Sequence, residues 1–196
     1  MIAMARKRYE FKPDREGPDL LSHFSLTKKQ QQNLLKWSLY GIVLMLLSVL
    51  HDCILFEMRL FGSTTDLVPC AIIAICVLEG AEGGSSFALM ASLLFYASGS
   101  SCGVHAIPVL TFCALGAAIF RQNYLQKGFA ATVLCTGVAT TLYEVAAFAV
   151  ALVLGQTFMG RFTIILVMSG LSTAAISLLY KIFIAIGKIG GDSWKE

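Results

Sequence analysis

The sequence predicts an all-α integral membrane protein, a bundle of about six transmembrane helices with both chain ends on the cytoplasmic side. Three observations lead there. Of 196 residues, 57% are hydrophobic and 14% are charged, against about 25% charged in a soluble domain. The apolar residues come in runs, several of which approach the roughly 20 residues that a helix needs to cross about 30 Å of hydrocarbon. The basic residues also take sides: among 15 Lys and Arg, only Arg59 and Arg161 fall in segments expected outside, which is the asymmetry that orients membrane proteins.

The first element is a polar arm. Arg6, Lys7, Arg8, Lys12 and Arg15 alternate with Glu10, Asp14, Glu16 and Asp19, and Pro13, Gly17 and Pro18 break any regular structure. With a net charge of only +3, the arm does not point to nucleic acid. It suits anionic lipid headgroups, where a base near the surface contributes about 1 kcal/mol, or it simply holds the topology. The first 33 residues have no apolar core, so no cleavable signal peptide is expected and the first span stays as an anchor. Good helix formers at 27–36 suggest an interfacial helix leading into the bilayer.

The first span is read at 37–56, with Trp37 and Tyr40 at the inner boundary and His51 and Asp52 towards the outer third. Neighbouring residues point about 100° apart on a helix, so His51 and Asp52 do not make a shared metal site. Residues 57–66 form an outer loop. Two short runs follow, 67–78 and 85–98, the first able to extend into 79–84. They read as a tight hairpin turning at Gly80, Gly83 and Gly84, with a re-entrant pair as the competing geometry. Glu79 and Glu82 lie beside those glycines and read as solvated loop charges. A turn at Gly99, Ser100, Ser101 and Gly103 leads to a fourth span at 104–120, then a polar, basic connection at 121–128. The fifth span covers 129–154 and the sixth 163–180, with Lys181 snorkelling at its end and 182–187 at the interface. The layout is therefore an arm with an interfacial helix (1–36), a membrane domain (37–187) and a polar tail (188–196).

Few residues offer chemistry. Glu144, beside Tyr143 inside the fifth span, is the sharpest: an ionisable group in hydrocarbon must face protein or water. It reads as a structural hydrogen bond that fixes helix packing, or as a proton or ligand site. His105 reads as a solvated or capping histidine. The six cysteines, Cys53, Cys70, Cys76, Cys102, Cys113 and Cys135, show no CxxC pair and behave as small apolar side chains. A Cys53–Cys102 disulfide is conceivable near the outer face. Small residues four apart, Ala114 with Ala118, Gly137 with Thr141 and Gly170 with Ala174, let helices approach closely. No nucleotide, hydrolase or metalloprotease motif is present, and no enzyme activity, cofactor or metal is expected.

From about 61 to 187 the chain resembles the rod shape-determining protein MreD family of bacteria. The resemblance is carried by Asp66 opening the second span in Thr65-Asp66-Leu67-Val68. It continues in the glycine turn Leu78-Glu79-Gly80-Ala81-Glu82-Gly83-Gly84 and the small-residue helix at 88–94. The serine-glycine turn Ser98-Gly99-Ser100-Ser101-Cys102-Gly103-Val104-His105 follows, and Glu144 falls where the family often carries an acid. Thr65 stands in place of the family's usual Pro, and Phe95 where it often has Asp. The resemblance implies a non-enzymatic membrane scaffold of the cell-elongation machinery in the bacterial cytoplasmic membrane. Its partners would be an MreC-like protein and, through it, MreB, RodA and a class B penicillin-binding protein. Asp66, Tyr143 and Glu144 would be structural polar groups.

The rival reading is the substrate-binding component of an energy-coupling-factor vitamin transporter, with His51, Asp52, Tyr96 and His105 converging near the outer face. Such proteins use small residues in the first span to dock a partner, whereas this first span carries Leu44, Met45, Leu46 and Leu47.

Overall fold

The computed structural model describes residues 28–55, 66–99, 101, 103–125 and 128–189. These form six helices: α1 (Lys28–Leu50, continued by a π turn at His51–Leu55), α2 (Leu67–Glu79), α3 (Ala81–Ala97), α4 (Ala106–Tyr124), α5 (Phe129–Val153) and α6 (Phe162–Ile189). A short 3-10 turn, Met159–Arg161, precedes α6, and no strand occurs among the described residues. Most of the arm, the 56–65 loop, Ser100, Cys102 and the tail from 190 lie outside the described residues, so the arm's lipid contacts lie outside them too. Cys53 is exposed and free, which corrects the reading of a Cys53–Cys102 disulfide.

The architecture follows from one helix with no polar face. From Leu67 to Leu78, α2 carries only apolar side chains, so no orientation could place one side in a polar setting. Every residue from Leu67 to Leu78 is buried, and α2 touches each of the other five helices. Around it, α3, α4, α5, α6 and α1 pack in succession. The ring meets at α1 and α3 through the Trp37 and Phe87 rings, 5.3 Å apart. The surrounding helices each bury one stripe at helical spacing, as in Ala106, Leu110, Ala114 and Ala118 of α4. Their other faces are also apolar: Met45 and Leu46 on α1, and Leu134, Val138 and Leu142 on α5 are exposed.

Four helical stretches, Gln30–Cys53, Ala106–Tyr124, Phe129–Val153 and Met159–Ile189, are long and apolar enough to cross a membrane. The central helix is not. Its 13 residues span about 20 Å, so α2 and α3 are the short pair that the sequence leads one to expect.

The hairpin between them turns more tightly than expected. Gly80 alone makes the bend, at φ 90°, a conformation that glycine adopts without a Cβ penalty. Gly83 and Gly84 are not turn residues but lie inside α3. The reason for Gly84 is proximity: a Cβ there would sit 2.7 Å from the Cys76 carbonyl oxygen and 2.8 Å from its Cα. Gly84 is therefore where α3 lies against the backbone of α2. An added Cβ at Gly83 would come within 3.0 Å of the Trp37 ring. Of the small-residue pairs, Ala114 and Ala118 are fully buried and Gly137 lies against Thr173 of α6. Gly170 and Ala174 face outwards instead.

Candidate functional site

The polar chemistry of the bundle gathers at the two ends of α2. At the Glu79 end, α1 runs unbroken from Lys28, which brings Lys36 and Tyr40 one turn apart onto the face towards α2. Lys36 Nζ donates to Glu79 Oε2 at 2.6 Å, and the Tyr40 hydroxyl donates to Glu79 Oε1 at 2.7 Å while lying 3.1 Å from the Phe183 carbonyl oxygen of α6. The Lys36 and Glu79 side chains are 7% and 3% exposed. This corrects the reading of Glu79 as a solvated loop charge. Glu82, one residue into α3 past Gly80, is exposed.

Arg121 completes that end. The sequence places it at the start of a polar connection, but it belongs to α4 and is buried. The reason is register, since Arg121 continues the stripe of Ala106, Leu110, Ala114 and Ala118. Its guanidinium Nη1 donates to the carbonyl oxygens of Val77 and Leu78. Those are among the last carbonyls of α2, which no residue of the same helix can satisfy, and a cation there complements the helix dipole.

At the other end, Asp66 occupies the N-cap position of α2 without a side-chain capping bond, and Glu144 reaches towards it from α5. The two carboxyl groups lie within side-chain hydrogen-bond reach of each other. An ionised carboxyl only accepts, so a bond between them needs one proton held in common. His51, in the π turn that ends α1, acts electrostatically on Asp66. One turn below, Thr140 donates to the Cys70 sulfur at 3.3 Å and to the Thr136 carbonyl oxygen at 2.7 Å. A polar rail of Thr132, Thr136, Thr140 and Glu144 thus runs down the buried face of α5.

This end is not saturated. Among the described residues, five buried side-chain atoms have no hydrogen-bond partner: Glu144 Oε1, His51 Nδ1, Ser101 Oγ, His105 Nε2 and Thr136 Oγ1. Four belong to the segments at the Asp66 end, and Thr136 lies two turns into α5.

The structure therefore brings together three sequence-selected residues, Asp66, Glu144 and His51, with Tyr143 buried beside Glu144. It does not gather the others. Asp52 is exposed and Tyr96 faces outwards on α3. His105 packs near Gly103, where a Cβ would come within 3.0 Å of its imidazole. Gly99 and Gly103 do form turns, at φ 78° and 143°. Lys36, Tyr40, Glu79 and Arg121 were missed as site residues. Two signals could have found them: opposite charges bordering two adjacent apolar runs at one expected depth, and the four-residue stripe that Arg121 extends.

Comparison with family models, with curated proteins and with solved structures finds no match for this chain.

Proposed function

We propose that this chain is a multi-pass protein of the bacterial cytoplasmic membrane, with both ends in the cytoplasm. In this reading it serves as a non-enzymatic scaffold of the cell-elongation machinery, as its resemblance to the MreD family implies. It would hold an MreC-like partner beside it in the bilayer and so help to organise MreB, RodA and a class B penicillin-binding protein during peptidoglycan synthesis. The Glu79 end of α2 then faces the cytoplasm and the Asp66 end faces outwards.

The observation that carries the scaffold reading is the direction in which the bundle faces. Its buried charges and most buried hydroxyls turn inwards to one another. Gly41, Gly116 and Gly170 stand instead on ring helices with nothing within 4 Å of an added Cβ. Bare glycines on apolar outer faces let a further helix approach closely. The stretches that carry the resemblance also bound the short hairpin, with Asp66 starting α2, Gly80 joining it to α3 and Gly99 following α3.

The meeting of His51 with Asp66 and Glu144 favours the vitamin-transporter reading, since a ligand site needs converging polar groups. The outward placement of Asp52 and Tyr96 weakens it. Affinity purification from native membranes separates the two. Wall-growth proteins co-purifying with the chain are the expected result. An ATP-hydrolysing transporter module in their place, with a small molecule seen by native mass spectrometry, would replace the scaffold reading.

A further inference from the structure

The Asp66 end of α2 is built for something that the described residues do not supply. Glu144 is 6% exposed, and its Oε1 has no hydrogen-bond partner. A buried carboxyl oxygen left unpaired costs free energy that the fold could avoid with an amide or an apolar side chain. Beside it lies Asp66, a second carboxyl, and next to Asp66 is His51, whose buried Nδ1 is also unpartnered. His51 is presented by a π turn, a departure from regular helix that recurs at functional sites.

The titratable groups facing Glu144 are Asp66 and Cys70 from α2; His51 of α1 faces Asp66, and Tyr143 precedes Glu144 on α5. The side chain that α6 presents to Cys70 is Thr173, which does not titrate. Apart from His51, which acts on Asp66, no basic side chain among the described residues answers the acids. Lys36, Arg121, Lys181 and Lys188 lie towards the opposite end. Arg161, at this end, is exposed and stacks over the Phe158 ring at 5.1 Å.

We propose that Asp66 and Glu144, with His51 beside them, form a receptor for a single nitrogen cation, an ammonium or guanidinium group. Such a group brings positive charge and several N–H donors together, which suits two carboxyls with an open oxygen. A metal ion fits less well, because among the described residues no three His, Cys, Asp or Glu side chains are placed to hold one. Docking of the cation displaces the proton that the two carboxyls share. The cation has two possible sources, a small soluble amine or a basic side chain of another membrane protein.

Dicyclohexylcarbodiimide tests this, because it adds to protonated carboxyls in apolar surroundings. The full chain is purified in nanodiscs and the adduct located by mass spectrometry. Glu144 is expected to be labelled, and methylguanidinium chloride to slow labelling roughly tenfold relative to sodium chloride at equal ionic strength, the size of one hydrogen bond to a charged group. Asp66→Asn should keep the labelling but lose the protection. Glu144→Gln should remove the adduct, with an unchanged melting temperature showing that the fold survives. The same labelling in native membranes separates the sources: protection lost on purification indicates a membrane partner, and equal labelling before and after indicates a soluble amine. Four results would overturn the proposal. Glu144 could resist the reagent, or methylguanidinium could protect no better than sodium or equally well in Asp66→Asn. Arg59→Gln could also by itself expose Glu144, which would make the cation this chain's own.

Discussion

The two ends of α2 solve the same problem in opposite ways. Both must place charged side chains where four of the surrounding helices are apolar enough for a membrane. At the Glu79 end each buried charge has an answer: Lys36 and Tyr40 take both oxygens of Glu79, and Arg121 takes the terminal carbonyls of α2. At the Asp66 end two acids face each other, and one carboxyl oxygen has no partner. A closed set of partners rigidifies and fixes a fold, whereas a partly satisfied one is where binding or switching resides. One end reads as the clamp that joins α1, α4 and α6 to the central helix, the other as the place where something else acts.

The largest effect should come from opening the clamp. Glu79→Ala leaves Lys36 buried without its counter-charge and Tyr40 without its acceptor. Breaking a buried pair by removing one partner costs about 3–5 kcal/mol. Reversible unfolding in mixed micelles is expected to register a loss of that size, and Lys36→Ala with Glu79→Ala together should lose less than the two separately. A loss below about 1 kcal/mol, the range of an exposed pair, would mean that the two ends do not differ as described.

Arg121→Met should have the next largest effect. It keeps an apolar stem like that of the arginine but removes the donors to the Val77 and Leu78 carbonyls. Hydrogen bonds involving a charged group contribute about 1.5–3 kcal/mol, and the same unfolding measurement should show a loss in that range. No change in stability would indicate that those carbonyls find other donors and that the clamp consists of Lys36, Tyr40 and Glu79 alone.

Much of this layout is legible in the sequence, and the gaps have physical causes. The helix number follows from the apolar runs, and the enclosure of α2 follows from the lack of any charge between Asp66 and Glu79. Glu144 stands out because acids in apolar runs are rare. The Lys36–Glu79 pair is harder to see, since the partners lie 43 residues apart and each looks like an ordinary charge at the end of a span. Only the packing of α1 on α2 turns them towards each other. Gly84 illustrates the same limit. A glycine near a turn reads as part of the turn until the second helix shows that it marks a close approach.

Glu144→Gln should have the smallest effect on stability, and for that reason it sharpens the comparison most. The amide is nearly the same size as the carboxyl, and its N–H group can donate to Asp66. Interhelical hydrogen bonds in membranes average about 0.6 kcal/mol, so the change in unfolding free energy should stay below about 1 kcal/mol in either direction. A loss as large as that of Glu79→Ala would mean that the Glu144 charge is itself a closed structural partner, and the two ends of α2 would then be alike. A small change, set beside the collapse expected for Glu79→Ala, would show that a buried acid can be kept at little cost to folding when its role is to meet a group from outside the bundle.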